Sequence, residues 1–231
     1  TSAATANAMP VAEFTVAGGV MSLKRVWYFS HAVREHRGFV QRTSVPGMYG
    51  STVGLIGLGM IGRLVAERLR TYDVRVIAHD PHFAASDAEA VGVELCTLDE
   101  LFSRADVVSL HAPWLPQTEG MITGAHLASM PANATFINTA RGALVREAEM
   151  IQVLQQRPDL DAVLDVTYPE PPAPDSLLYS LPNVVLTPHI AGSVGAECRR
   201  MGRAMVDELA RFLRGEPLCW AISQAQAQLM A

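Results

Sequence analysis

Blocks of lysine or arginine are missing from this chain, and its formal charge near neutrality is −5, so it carries no electrostatic footprint for nucleic acid or an anionic membrane. Neither partner is expected. Cysteine is scarce as well. Cys96, Cys198 and Cys219 are an odd number without C-x-x-C spacing, which signals neither a disulfide framework nor a zinc site. No metal is expected, and reduced thiols in a cytoplasmic protein are the simpler reading. A long apolar run is also wanting. The apolar stretch at 11–23 is interrupted by Glu13 and preceded by no basic residue, so it reads as neither signal peptide nor membrane span. There is no internal repeat and no low-complexity segment.

What is present is ample material for a core, with 49% hydrophobic side chains over 231 residues. The most informative stretch is Thr52-Val-Gly-Leu-Ile followed by Gly57-x-Gly59-x-x-Gly62 and then Arg63-Leu-Val-Ala-Glu-Arg-Leu. It reads as a buried strand, a tight turn and an amphipathic helix. In such a unit Gly57 permits the turn, Gly59 lets a pyrophosphate approach the backbone, and Gly62 lets helix and strand pack closely. The helix N-terminus supplies free N–H groups and partial positive charge. A second apolar run, 74–79, ends in Asp80, which stands 23 residues after Gly57, where a carboxylate accepts from an adenosine ribose 2′-OH. The alternative, in which His79, Asp80 and His82 hold a metal, is disfavoured because alternate strand residues point to opposite faces.

Around this unit the chain alternates. A helix is expected from Asn7, as N-cap, to about Trp27, with Pro10 in its first turn and Gly18-Gly19 in its middle. The stretch 30–50 is polar and reads as a connector with a turn at Pro46-Gly47. Further strands are expected at 106–110, 134–138, 160–166 and 184–186. Helices are expected at 86–93, 98–103 and 147–156, with a last one capped by Ser193 and terminated by Gly215 and Pro217. Strands alternating with helices predict an α/β fold with a doubly wound parallel sheet covered on both faces.

In such a sheet ligands lie outside the carboxyl ends of the strands. Polar residues follow four of these ends: His111, then Arg141, then Asp165 with Glu170, then His189. His111, next to Ala112-Pro113, is better read as a strand-end histidine shaping a turn than as a catalytic one. Arg141, between Ala140 and Gly142, has little reason to sit there unless it meets an anion. His189 has a possible orienting partner in Glu170.

Gly57-x-Gly59-x-x-Gly62 with Asp80, Asn138-Thr-Ala-Arg141-Gly142, Leu164-Asp165-Val166 followed by Glu170-Pro171, and Thr187-Pro-His189-Ile-Ala-Gly192 resemble, in order, the signatures of the D-isomer-specific 2-hydroxyacid dehydrogenases. The resemblance implies a Rossmann-like NAD-binding domain and hydride transfer between NAD(H) and a 2-hydroxy acid/2-oxo acid pair. It implies that Arg141 holds the substrate carboxylate and carbonyl, that His189 donates or accepts the proton, and that Glu170 orients His189 and favours its charged form. Met60 and Ile61, with the three glycines, would meet the pyrophosphate, and Asp80 the ribose. Ala112, Thr139 and Asp165 would surround the nicotinamide half, and Gly192 belongs to the closing loop. Formate dehydrogenases resemble this chain but carry glutamine where Glu170 stands.

Family members begin with roughly a hundred more residues, consistent with a domain of ordinary size. The expected division is therefore 1–6 as the final strand and loop of a flavodoxin-like substrate domain, 7–192 as the NAD-binding domain, and 193–231 as the helix and tail returning to the substrate domain. A two-fold homodimer is expected by the same resemblance, with the helix at Asn7 at its interface. The alternative from another class is an NAD(H)-sensing, corepressor-like interaction protein.

Overall fold

The computed structural model describes residues 1–42 and 44–227. The last four residues of the expected 193–231 unit lie outside the described residues. Seven strands form one parallel sheet: β1 (Thr52–Ile56), β2 (Arg75–His79), β3 (Glu94–Leu95), β4 (Val107–Leu110), β5 (Thr135–Asn138), β6 (Asp161–Leu164) and β7 (Val184–Leu186), in spatial order β3-β2-β1-β4-β5-β6-β7. The order reverses between β1 and β4. That gap is the topological switch point, where a doubly wound sheet opens a crevice for a ligand.

The strands are near-continuous apolar runs because both faces are covered. On one face α5 (Leu98–Arg104), α6 (Gly124–Ala128) and α7 (Glu147–Gln156) bring Leu101, Phe102, Leu127, Met150 and Leu154 against Ile56, Val108, Phe136 and Ala162. On the other, α1 (Ala4–Leu23) and α3 (Met60–Leu69) bring Ala12, Leu23, Val65, Ala66 and Leu69 against Val53, Leu55, Val107 and Ile137. Alternate residues of β1 thus serve opposite layers. Gly54 faces the same layer as Ile56 without a side chain, and a Cβ there would come within 2.7 Å of Leu101. α4 (Ala85–Ala90) starts one residue before the expected 86 and stops short of 93, and α5 starts where expected because Thr97 and Glu100 form a reciprocal capping box.

Four local differences from the sequence reading have physical causes. First, α1 begins at Ala4, so 4–8 is helix rather than strand and loop. The alanines at 3, 4, 6 and 8 favour helix, and Ser2 Oγ accepts the Ala4 N–H at 3.1 Å. Asn7 therefore lies inside the helix, one turn beyond its start, and does not cap it. Second, the first helix ends at Leu23, and α2 (Val26–His36) occupies much of the expected connector. Arg25 makes the elbow in a left-handed conformation (φ 49°). Its buried guanidinium lies 4.2 Å from the centre of the Tyr28 ring and donates to Asn133 Oδ1 at 2.7 Å. Third, β3 is only two residues long, too short to show a period. Fourth, the last long helix, α8 (Ala196–Leu213), begins after Gly195, not at Ser193.

Two buried carboxylates stand away from the strand ends. Glu208 of α8, 2% exposed, accepts from Thr1 Oγ1 at 3.2 Å and from the Cys219 and Trp220 amides at 3.0 and 2.9 Å. It ties the start of the chain to the segment after α8. Asp161, 1% exposed at the start of β6, has no hydrogen-bond partner on either carboxylate oxygen. Burial pushes its acid form up to about 6, against the opposing pull of Arg25. Among the described residues no helix is long and apolar enough to cross a membrane.

Candidate active site

The glycine turn after β1 is built by sterics. Gly57 has φ +92°, and a Cβ there would press on the backbone of His111 and Ala112 at 3.0 Å, so the turn lies directly against the end of β4. At Gly62 a Cβ would overlap the Gly57 carbonyl, so only glycine lets α3 start this close to the strand. Nothing lies within 4 Å of the Cβ direction of Gly59. The first helical bond is Arg63 N–H to Gly59 O at 3.1 Å, and it leaves the amides of Met60, Ile61 and Gly62 ahead of it. Asp80, at the end of β2, reaches back over this turn. Its Oδ2 accepts from the Leu58 amide at 2.7 Å and its Oδ1 from the His82 amide at 2.9 Å, and each oxygen retains a lone pair.

At the end of β4 the His111 ring nitrogens are buried without a partner, and desolvation lowers the ring to about 4, so it is neutral near pH 7. His111 is half-buried at the strand end, but with both ring nitrogens unpaired it is not the satisfied histidine that the sequence suggested, and Ala112 beside it is buried.

After β5, Asn138 does what the sequence reading missed. Its buried amide accepts from Ala140 N–H and donates to Arg141 O, both at 3.0 Å, and so folds the turn that presents an exposed Arg141. Arg141 is extended (φ −150°, ψ 143°) and opens the 3-10 turn Gly142–Leu144. Thr139 is buried, with its hydroxyl 3.5 Å from that of Thr15 on α1. Gly142 lies so close to the backbone of Thr167 and Tyr168 that a Cβ would overlap it, which joins the Arg141 turn to the loop leading to Glu170.

His189 Nδ1 lies 2.6 Å from Glu170 Oε1, a distance at which the ring N–H donates to the carboxylate. Both side chains are close to half exposed, and no hydrogen bond to His189 Nε2 occurs among the described residues. The loop around His189 is held by Asp165. That buried carboxylate accepts from Thr187 Oγ1 at 2.6 Å and from the Ile190 and Ala191 amides at 2.8 Å each, while Asp165 O accepts the His189 amide at 3.0 Å. His189 itself is left-handed (φ 55°), a conformation that costs a non-glycine residue roughly 1–2 kcal/mol and persists where surrounding bonds impose it. Gly192 faces the side chain of Asn7. The structure thus gathers Arg141, Glu170 and His189 on adjoining loops at the same sheet edge as the glycine turn. Among the described residues no group of three or more His, Cys, Asp or Glu is placed to hold a metal.

The family model described as D-isomer specific 2-hydroxyacid dehydrogenase, NAD binding domain, matches residues 18–191. The chain belongs to the D-isomer specific 2-hydroxyacid dehydrogenases. It is 36% identical over 216 residues to a D-3-phosphoglycerate dehydrogenase of Mycobacterium tuberculosis, covering 93% of this chain but only 40% of that protein's length. With an (S)-sulfolactate dehydrogenase of Chromohalobacter salexigens it shares 37% over 210 residues, 90% of this chain and 67% of the relative. Among solved structures, the NAD complex of a D-isomer specific 2-hydroxyacid dehydrogenase from Lactobacillus delbrueckii ssp. bulgaricus superposes with a TM-score of 0.81 at 29% identity, over 94% of this chain and 69% of that one. As a member of this family the chain has the expected Rossmann-like sheet.

Proposed function

We propose that this chain is the NAD(H)-binding and proton-transferring part of an enzyme that interconverts D-2-hydroxy acids and 2-oxo acids. The observation that carries the reading is the His189–Glu170 pair at 2.6 Å, beside the Arg141 turn and at the strand ends that also carry the glycine turn. The residues fit a dinucleotide. Gly59 leaves the approach to the α3 amides open, Met60 and Ile61 offer those amides to a pyrophosphate, and Asp80 keeps acceptor capacity for a ribose hydroxyl. Ala112, Thr139 and Asp165, each at or beside a strand end, take the nicotinamide half, and Gly192 closes the loop over it.

NAD(H), when bound, supplies or accepts the hydride. Arg141 clamps the substrate carboxylate in a planar fork and polarises the carbonyl. His189 gives its Nε2 proton to the carbonyl oxygen as negative charge develops there, and takes it back in the oxidative direction. Glu170 accepts the Nδ1 proton as a hydrogen bond, which fixes the ring's orientation and favours its cationic form.

NAD(H) is the expected cofactor because Asp80 would repel a 2′-phosphate. The test is a panel of 2-oxo acids assayed with NADH and NADPH on the full-length protein. Turnover with a higher kcat/KM for NADH is the expected result. Equal or better use of NADPH removes the role given to Asp80, and tight NADH binding without turnover of any 2-oxo acid overturns the enzymatic reading in favour of a nucleotide sensor. The sensor has no structural observation of its own.

Three further points belong to the same proposal. The division at 1–6, 7–192 and 193–231 is supported by Glu208, which ties Thr1 to Cys219 and Trp220 after α8, and by the exposed apolar row Val206, Leu209, Phe212 and Leu213 on α8, suited to contact with a further domain, while α1 (Ala4–Leu23) runs across the boundary at 6/7. A homodimer is supported by exposed Met9 and Met21 on α1, and a monomeric mass at micromolar concentration would count against it. A cytoplasmic location is supported by three unpaired thiols.

A further inference from the structure

We propose that Asn7, on the second turn of α1, is a positioning residue for His189. The inference rests on the reading of His189 as the proton carrier. His189 sits in a left-handed conformation in the middle of a loop, so its ring is placed only as well as the loop is held on both sides. The near side is held by Asp165, which takes the amides of Ile190 and Ala191. The far side is held by Asn7, whose Oδ1 accepts the Ser193 amide at 2.7 Å across 186 residues of sequence. Between these clamps lies Gly192. A Cβ there would stand 3.1 Å from Asn7 Oδ1 and 3.2 Å from Nδ2, so glycine at 192 is what lets the amide approach. α1 is itself firmly seated. Ala8, Val11, Ala12 and Thr15 are buried, and the helix packs along α3 and under the ends of β4 and β5. Asn7 therefore transmits a fixed position to the loop, and a loss of it releases the distal half of the loop without removing any group that touches substrate.

A misplacement of about 1 Å can cost a hundredfold in rate, so partial release predicts a fall in kcat of about tenfold or more. The experiment measures kcat, KM and NADH affinity in the full-length protein for Asn7→Ala, Asn7→Asp, Gly192→Ala and the double variant Asn7→Ala/Gly192→Ala, with His189→Ala alongside. Asn7→Ala, a substitution that α1 accommodates well, should lower kcat by that factor while NADH affinity stays within about twofold. Asn7→Asp keeps an acceptor for the Ser193 amide and should restore most of kcat. Gly192→Ala should lower kcat where Asn7 is present and add little once Asn7 is alanine, because the two side chains compete for one space. The inference is overturned if Asn7→Ala keeps kcat within twofold, if Asn7→Asp is no better than Asn7→Ala, or if the Asn7 and Gly192 losses multiply. An unchanged kcat in His189→Ala instead overturns the assignment of the proton carrier, on which this one depends.

Discussion

His189→Ala in the full-length protein is expected to lower kcat for a 2-oxo acid by roughly 10²–10⁴ while NADH binds nearly as before. The separation follows from where the two functions sit. The glycine turn, the α3 amides and Asp80 lie at the ends of β1 and β2, whereas His189 follows β7 at the other side of the sheet order. Removing the imidazole takes away the proton partner for the developing alkoxide and leaves the cradle intact. Arg141→Ala is the useful contrast. An arginine that holds the substrate carboxylate binds ground and transition states alike, so its loss should raise KM as well as lower kcat. Steady-state kinetics with a fluorescence titration of NADH distinguish the two patterns. Full activity in His189→Ala would refute the triad, and a change in kcat alone for Arg141→Ala would refute the clamp.

The largest effect on stability is expected at Asp161. Its folded-state acid form is raised from 3.8 to about 6, so the fold binds this proton more tightly than the unfolded chain does. Stability from that source is full below about pH 4 and lost as pH rises through about 6, a swing of about 3 kcal/mol. Asp161→Asn removes the titration. Its amide has polar requirements of its own in the same dry site, but those do not change with pH. The gap between variant and parent should therefore open in the variant's favour between about pH 4 and 6 and stay constant above, by about 3 kcal/mol or roughly 6–12 °C in Tm. Denaturant unfolding of both proteins across this range measures it. Parallel stability curves would mean that Asp161 finds a partner, the candidate being Arg25, whose charge already acts on it and whose Nε is also buried without a partner.

The elements legible in the sequence were those whose pattern is local. The glycine turn follows from three residues within six positions. The buried strands announce themselves as apolar runs, and Glu147–Gln156 is helical over the span its periodicity predicts. α2 escaped because Arg34, Glu35 and His36 mask a helix that buries only Ala32. Asn7 was legible as a polar residue near a helix start but was read as a cap, since a cap and a long-range clip use the same amide oxygen. Asp165 carries a similar lesson. Its place at a strand end marks it as important, but the three donors that saturate it come from residues 187–191, which no spacing rule connects to it. Arg25, Glu208 and Asp161 gave no signal at all, because a buried charge is defined by what folds over it.

The backbone contact at Gly142 has a consequence for how such a site changes over evolutionary time. Gly142 brings the Arg141 turn and the loop leading to Glu170 into backbone contact at Thr167 and Tyr168, with no side chain between. On the proposed roles, the spacing between Arg141 and Glu170 would be inherited with the backbone and would not be open to stepwise tuning by side-chain size. On that reading, a lineage adapting to longer or bulkier acids would have to change residues away from this backbone contact, and the geometry at the carbonyl carbon would stay as it was.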